Sequence, residues 1–170
     1  MNKESYRIGH GYDVHRLETG KRFIIGGIEI NHDKGAVGHS DADVLLHAIT
    51  DAILGSIAAG DIGTHFPDTD PQWQNVESSI FLKKAGECLS ELGGKIINID
   101  ATLICERPKI NPHRDAMAAN ISNILGLNPA CVSIKATTTE QLGFIGRSEG
   151  IASQAIVSVC LPQEQERETL

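Results

Sequence analysis

The sequence has few aromatic residues: Phe, Tyr and Trp make up 4% of its 170 positions. The hydrophobic core must therefore be built from Ile, Leu, Val and Ala. The chain also lacks an apolar run approaching the ~20 residues that a membrane-spanning helix needs, and its first seven residues contain no apolar signal core. These absences predict a cytoplasmic protein with no membrane partner.

Closely spaced cysteines and an excess of positive charge are missing as well. Cys88, Cys105, Cys131 and Cys160 never lie two or three positions apart, which excludes zinc-ribbon spacing and favours reduced thiols. The formal net charge is −7, and a negative chain repels nucleic-acid backbones and anionic membranes. We therefore expect no nucleic-acid partner, although a small phosphorylated ligand could still be held by a local basic group or a cation.

What the chain does contain is an alternation of strand and helix patterns. Strands are predicted at Tyr6–His15, Arg22–Ile25, Ile28–Ile30, Lys95–Cys105, Val132–Ala136 and Ala155–Leu161, and helices at Ser40–Gly60, Val76–Leu92 and Asn111–Gly126. This order predicts an α/β (α+β) fold in which helices pack on one face of a single mixed β-sheet. We expect one domain over residues 1–162 and a polar tail over residues 163–170. The uncovered face of the sheet predicts a partner subunit.

Several local features of these elements are also predicted. Ser40 is expected to cap the first helix, with Asp43 completing a capping box. Asn111 is expected to cap the third helix, followed by Pro112 at its first position. In the strand Lys95–Cys105, the residues Ile97, Ile99, Ala101, Leu103 and Cys105 are expected to share one face.

A metal site is predicted from Asp13, His15 and His47. Asp13 and His15 are two apart on a predicted strand, so both side chains point the same way. Asp43, His47 and Asp51 are spaced by four and share one stripe of the first helix. One Asp with two His leaves a fourth tetrahedral position open for water or a substrate oxygen. Zinc suits this set, while manganese, cobalt and iron remain alternatives. Asp51, one turn after His47, is predicted to hold the second nitrogen of a metal-binding imidazole.

Three further segments have the chemistry to handle phosphate. The strand end Thr137–Glu140 offers hydroxyl and amide groups to phosphate oxygens, and its Glu140 could bind magnesium. His39 and Ser40 precede a helix, where amides and the dipole favour anions. The loop Asp61–Asp70 is long and polar, which is typical of functional loops. Each segment also has a plainer interpretation, as a solvated strand end, a helix cap or a simple connection, and the same holds for the single basic residues Lys109 and Arg147.

The motifs occur in one order along nearly the whole chain. They are Gly9–His15, His39–Asp43 continuing through His47 to Asp51, Gly60–Gly63, Phe66–Asp70, Glu106–His113, Lys135–Glu140, Gly143–Phe144 and Gly146–Arg147. Together they resemble the 2-C-methyl-D-erythritol 2,4-cyclodiphosphate synthase family of the non-mevalonate isoprenoid pathway. The resemblance implies a lyase that converts 4-diphosphocytidyl-2-C-methyl-D-erythritol 2-phosphate to the cyclodiphosphate and releases CMP. It also implies a homotrimer with active sites between subunits.

The resemblance further implies roles for individual residues. Zn²⁺ would be bound by Asp13, His15 and His47, and Mg²⁺ or Mn²⁺ by Glu140, while His39 and Thr138 would stabilise the transition state. The implied substrate contacts are Asp13, Val14, His15, His39 and Ser40; Asp61, Ile62, Gly63, Phe66, Pro67, Asp68, Thr69 and Asp70 at the methylerythritol end; Cys105, Glu106, Arg107, Pro108, Lys109, Ile110 and Asn111 around cytidine; Thr137, Thr138, Thr139 and Glu140 at the phosphates; and Phe144 and Arg147 near the substrate or the threefold axis.

Two other functions fit part of the pattern. A zinc phosphohydrolase would use the same open metal position to activate water and would release inorganic phosphate. A non-catalytic, trimeric isoprenoid-binding protein would hold a structural metal, but a structural zinc site usually has four protein ligands.

Overall fold

The computed structural model describes residues 4–163 of the chain. Its strands are β1 (Glu4–Thr19), β2 (Phe23–Ile25), β3 (Ile28–Ile30), β4 (Lys34–Val37), β5 (Lys95–Ile104), β6 (Val132–Thr137) and β7 (Gly150–Pro162). Its helices are α1 (Val44–Ser56), α2 (Ile62–His65), α3 (Ser79–Glu91), α4 (Arg114–Leu125) and α5 (Gly143–Gly146). Single 3₁₀ turns lie at Pro71–Trp73, Asn111–His113 and Pro129–Cys131.

Five of the strands form one mixed sheet in the order β4-β1-β7-β5-β6. β1 pairs antiparallel with β4 and β7, β5 pairs antiparallel with β7, and β5 pairs parallel with β6. The parallel pair is joined by α4, as a crossover connection requires. β2 and β3 form a separate hairpin around Gly26 and Gly27, which both have positive φ. The predicted mixed sheet is confirmed, and the two short strands predicted on either side of Gly26-Gly27 pair as a hairpin.

The helices cover one face of the sheet, as predicted. α1 packs on β1 and β7 and against α3, and the buried cluster between these layers is formed almost wholly by Ile, Leu, Val and Ala. The opposite face of the sheet presents large apolar side chains to the surface: Tyr6, Ile8, Tyr12, Val14 and Ile156. An apolar sheet face of this kind is costly to leave in water.

Three local predictions are wrong. α1 begins at Val44 and is capped by Asp43, so Ser40 lies outside the helix. The helix predicted from Asn111 begins with a 3₁₀ turn and becomes α-helical at Arg114, and no side-chain cap is made there. In β5, Ile97 is exposed because a β-bulge lies between Ile96 and Asn98 and shifts the alternation of faces.

The ends of the other predicted helices are closer to the structure. α3 is shorter than predicted at its start and stops before Gly93, and α4 stops at Gly126; both glycines have positive φ. No helix within residues 4–163 is long and apolar enough to cross a membrane. Residues 164–170 of the predicted polar tail lie outside the described residues.

Candidate metal centre and substrate cavities

The start of α1 is held in place by the carboxylate of Asp43. It accepts hydrogen bonds from the backbone N–H groups of Leu45 and Leu46, at 3.1 Å each, and so caps the helix. It also accepts from Gly26 at 2.9 Å and Gly27 at 2.6 Å in the β2–β3 turn. One buried side chain therefore fixes the helix relative to the hairpin, and burial raises the pKa of Asp43 to about 6 despite these four donors.

The side of α1 that carries His47 lies against β1 at very short range. Cβ atoms added to Gly9 and Gly11 would lie 1.8 Å from the carbonyl oxygen of Ala52 and 1.9 Å from that of Ala48. No side chain fits in that space, so glycine at these two positions allows the helix backbone to contact the strand. His47, next to Ala48 in the sequence, is thereby brought to the two side chains that project from β1.

Three potential ligand atoms converge where α1 meets β1. Asp13 Oδ2 lies 2.9 Å from His47 Nδ1 and 3.0 Å from His15 Nε2, and the two imidazole nitrogens are 3.2 Å apart. Two ligands of a tetrahedral zinc ion, bonded at ~2.0–2.1 Å, are roughly 3.3 Å apart. The three atoms therefore form nearly one face of a tetrahedron, and this donor set could hold a divalent metal.

The electrostatics of this cluster suit a cation. The side chains of Asp13, His15 and His47 are 24%, 17% and 11% exposed. Burial alone would raise the pKa of Asp13, but hydrogen bonds from His15 and His47 outweigh it and hold that pKa well below its usual range. Burial alone would lower the pKa of His47, but its hydrogen bond to Asp13 raises it. The carboxylate is therefore ionised, and a positive charge is favoured beside it.

The second nitrogen of His47 does not contact Asp51, so that prediction is wrong. His47 Nε2 lies 2.8 Å from Ser78 Oγ and 3.2 Å from Ser40 Oγ. Asp51 instead accepts a hydrogen bond from the backbone N–H of Ile62 at 2.8 Å, since its side chain lies one turn further along α1, beside the start of α2.

Two of the three predicted metal ligands, His15 and His47, line a cavity of about 340 Å³. It is lined by His15, His39, Ser40, His47, Ile62, Gly63, Phe66, Pro67, Asp68, Trp73 and Phe81. The structure therefore brings together the predicted metal site, His39 and Ser40 at the loop before α1, and five residues of the predicted loop Asp61–Asp70. This grouping places the candidate metal site beside a space large enough for a small molecule.

Trp73 and Phe81, which form an aromatic wall on this cavity together with the predicted Phe66, were missed by sequence reasoning. Phe66 lies 4.6 Å from Phe81 and 5.1 Å from Trp73 between ring centroids, and Phe81 lies 6.0 Å from the His47 ring. Phe66, Trp73 and Phe81 are three of the five Phe and Trp residues in the chain. Their concentration within one short stretch of an aromatic-poor sequence is the signal that could have identified them.

Other residues of the predicted loop have structural contacts of their own. Asp61 caps α2, and its carboxylate accepts from Thr64 N and Thr64 Oγ1 at 2.8 Å each. Asp70 caps the following 3₁₀ turn through Gln72 N at 3.1 Å. Asp61, Thr69 and Asp70 do not line the cavity among the described residues.

A second cavity, of about 170 Å³, lies at the ends of β5 and β6. It is lined by Cys105, Glu106, Pro108, Lys109, Ile110, Asn111, Ala136, Thr137 and Thr138. The structure thus joins most of the predicted cytidine segment to the predicted phosphate segment, while Arg107 lies exposed beside it. Burial raises the pKa of the Cys105 thiol to about 11, so this cysteine is an apolar wall residue and not a nucleophile.

The phosphate segment is held by Glu106. Its Oε1 accepts from Thr139 N at 2.9 Å, Thr139 Oγ1 at 3.2 Å and Gln141 N at 3.2 Å, and these bonds lower the pKa of Glu106. Glu140 has a positive φ of 53° and accepts a hydrogen bond from Thr138 Oγ1 at 2.8 Å. Glu106 therefore stabilises the conformation of the turn that carries Thr138 and Glu140.

Val14, Phe144 and Arg147 are among the predicted substrate contacts that line neither cavity, as are Thr139 and Glu140. Val14 is on the uncovered face of the sheet, because successive strand residues alternate and Asp13 and His15 face α1. Phe144 is 43% exposed on α5. Arg147 forms an exposed ion pair with Glu149, at 2.9 Å from Nε and 3.0 Å from Nη2.

Comparisons with known proteins agree on one family. The YgbB family model matches residues 6–160. The chain is 53% identical over 155 residues to 2-C-methyl-D-erythritol 2,4-cyclodiphosphate synthase of Dechloromonas aromatica, covering 91% of this chain and 97% of that one. It is 56% identical over 153 residues to the bifunctional enzyme IspD/IspF of Erythrobacter litoralis, where it covers 90% of this chain but 40% of the relative.

A solved structure extends the likeness to the fold. The IspF of Plasmodium falciparum, determined as a CDP complex, superposes with a TM-score of 0.82 at 34% identity, over 94% of this chain and 98% of that one. The arrangement of a mixed sheet with helices on one face is therefore shared with a nucleotide-bound relative.

Proposed function

Because the chain belongs to the YgbB family, we propose that it converts 4-diphosphocytidyl-2-C-methyl-D-erythritol 2-phosphate to 2-C-methyl-D-erythritol 2,4-cyclodiphosphate with release of CMP. The family resemblance of the sequence motifs is thus confirmed. The observation that carries the proposal is the cluster of Asp13, His15 and His47 beside a cavity lined by the predicted substrate loop. Three ligands would leave one tetrahedral position of a bound zinc ion open.

The reaction is an internal displacement at phosphorus. An oxygen of the 2-phosphate forms a bond to the β-phosphorus of the diphosphate, which is the one attached to methylerythritol. The bond from that phosphorus to the bridging oxygen breaks, and CMP leaves with the electron pair. The nucleophile is already an anion, so no strong base is needed. The protein must fold the substrate back on itself and offset crowded negative charge, which are tasks of positioning and electrostatics.

The residues around the metal centre provide these functions. A zinc ion held by Asp13, His15 and His47 would supply positive charge to a phosphate oxygen. His39 lines the same cavity and would donate a hydrogen bond to the phosphate groups. The aromatic wall of Phe66, Trp73 and Phe81 lines this cavity and would limit water access beside the bound substrate, which would strengthen these interactions.

The second cavity supplies the rest of the site. Cys105–Asn111 would surround cytidine, and Thr137 and Thr138 would bind the phosphates. Glu140 would hold magnesium or manganese together with the substrate diphosphate, since carboxylate oxygens suit such hard cations.

The two cavities would have to come from different subunits. The strand register places Asp13 in the same row as Ser153, Leu103 and Ala136, so the metal centre and the β6 end are level across the sheet. Three inter-strand spacings nevertheless separate β1 from β6, about 14 Å. That is too far for two cations to bind one diphosphate within a single protomer.

A homotrimer resolves this separation and also covers the apolar sheet face. In the proposed assembly the metal centre of one protomer meets the β6 cavity of its neighbour. The exposed Tyr6, Ile8, Tyr12, Val14 and Ile156 would then pack between subunits. The proposal places Val14, Phe144 and Arg147 near these contacts, where a single protomer leaves them outside both cavities.

The activity can be tested by CMP release from the cytidyl-linked substrate. We expect release that is abolished by a chelator and restored by zinc together with magnesium. His47→Ala should lose zinc and reduce turnover by at least ~10²-fold, because two ligands remain. His32→Ala is the matched control, since His32 pairs with Asp33 at 3.1 Å away from the site. Full zinc content in His47→Ala would refute the metal assignment.

A further inference from the structure

The imidazole of His47 is bound on both sides by polar groups. Nδ1 faces Asp13 and His15, while Nε2 lies 2.8 Å from Ser78 Oγ. The Ser78 hydroxyl in turn makes a short hydrogen bond with Asp41 Oδ1, and the Ser78 backbone N–H donates to Asp41 Oδ2 at 3.1 Å. A continuous chain therefore runs from the metal centre through His47 and Ser78 to the carboxylate of Asp41.

The Ser78 hydroxyl is used by the metal centre and not by the helix that follows it. Ser78 directly precedes α3, but its backbone is helical, at φ −63° and ψ −14°, so its side chain makes no capping bond. The residue is completely buried, and its hydroxyl contacts His47 and Asp41. A buried hydroxyl with these two partners is explained by the position of the predicted metal ligand.

The contacts of His47 determine which of its two ring nitrogens carries the hydrogen. A neutral imidazole carries one hydrogen, so an ion bound at Nδ1 requires the hydrogen on Nε2. Without an ion, Asp13 Oδ2 at 2.9 Å favours the hydrogen on Nδ1 instead. Ser78 selects between these forms, because its hydroxyl can either donate to Nε2 or accept from it.

Asp41 determines whether the Ser78 hydroxyl donates a hydrogen bond to His47 Nε2 or accepts one from it. Both of its carboxylate oxygens accept hydrogen bonds, one from Ser78 N and the other from Asp43 N at 3.2 Å and the Ser78 hydroxyl. A carboxylate is the stronger acceptor for the serine hydrogen. The oxygen of Ser78 then presents a lone pair to the Nε2–H of His47.

We propose that Ser78 and Asp41 are positioning residues that hold His47 in the tautomer able to bind a metal through Nδ1. This inference rests on the proposed metal site and deepens it. Such indirect partners typically change metal affinity by ~10–100-fold when they are removed. Ser40, whose Oγ lies 3.2 Å from the same nitrogen, is a longer and weaker alternative acceptor.

The test measures the zinc dissociation constant by competition with a chromophoric chelator. Ser78→Ala removes the acceptor, and we expect the constant to rise by about 10–100-fold. Asp41→Asn should raise it as well, but in the Ser78→Ala background it should have less than about a twofold further effect. Any backbone disturbance from Asp41→Asn would act in both backgrounds, so the cycle isolates the path through Ser78.

A matched control is Ser122→Ala, which also removes one buried hydroxyl, here bonded to Ala118 O at 2.6 Å in α4. Its zinc affinity should equal that of the parent, and the urea midpoints of metal-free Ser78→Ala and Ser122→Ala should be similar. The visible spectrum of the Co²⁺-substituted protein should shift in Ser78→Ala and not in the control.

The outcomes separate this inference from the function that it rests on. Parent protein that binds no zinc would overturn the metal site and the positioning role together. If the parent protein binds zinc and the zinc dissociation constant of Ser78→Ala is within twofold of the parent value, the positioning role alone would be overturned. Independent, multiplicative effects of Asp41→Asn and Ser78→Ala would show that Asp41 does not act through Ser78.

Discussion

Replacing Gly11 with alanine should separate α1 from β1 and weaken the metal centre. The added Cβ would lie 1.9 Å from the carbonyl oxygen of Ala48, whereas Cβ atoms essentially never approach closer than 3.0 Å. The helix must therefore move by about 1.1 Å, the difference between these distances. His47 moves with it, while Asp13 and His15 stay on the strand, so ligand atoms now 2.9–3.2 Å apart would separate.

The expected effects of Gly11→Ala follow from that displacement. Overpacking of this kind costs about 1–3 kcal/mol of stability, and a ~1 Å misplacement of a catalytic constellation reduces turnover by about 10²-fold. Urea unfolding would measure the stability, at matched protein concentration because any assembly would shift the midpoint. CMP release would measure the turnover, and chelator competition the zinc affinity.

Gly55→Ala is the matched control for this prediction. Gly55 lies in the same helix, is exposed, and its added Cβ would meet nothing closer than His10 O at 3.9 Å. This variant should be neutral or stabilising by up to ~1 kcal/mol, since alanine is the better helix former. Gly11→Ala with the midpoint and zinc affinity of the parent would refute the close contact between α1 and β1.

Two further predictions concern the cations. Glu140→Gln should leave zinc bound at the Asp13 cluster but shift the magnesium titration of CMP release to higher concentration, and an unchanged titration would refute the role of Glu140. Zinc affinity should fall as the pH is lowered from 8 to 6, because Asp13 raises the pKa of His47 and protons then compete with the ion for that ring. Below that pKa the loss approaches tenfold per pH unit, and an affinity that is constant over this range would contradict the assignment of His47 as a ligand.

The sequence predicted those features that depend on spacing within one element. Asp13 and His15 share a face because strand residues alternate, and Gly26-Gly27 marks a hairpin because both residues take positive φ. His47 could be assigned to the same site because it lies on the stripe of the next helix. The family motifs then identified the remaining loops.

The features that were missed depend on contacts between distant segments. Asp43 caps α1 in place of Ser40 because its carboxylate also bonds the turn at Gly26 and Gly27, and no local pattern reveals that second contact. Ser78, which lies 31 positions after His47 in the sequence, contacts His47 Nε2, a role that was predicted for Asp51. Ile97 turned outward because of a bulge that strand periodicity does not indicate.

The separation of the two cavities is another such feature. Strand order, and not sequence spacing, places two strands between β1 and β6. The proposal that a second protomer completes the active site therefore rests on the topology of the sheet.

The most direct test of the account is to run the reaction in ¹⁸O-labelled water and to examine the products by phosphorus NMR and mass spectrometry. An internal attack predicts CMP and the cyclodiphosphate in equal amounts, with no ¹⁸O in either product and no inorganic phosphate. One labelled oxygen in a phosphate product, or inorganic phosphate as the main signal, would contradict cyclisation and indicate a phosphohydrolase.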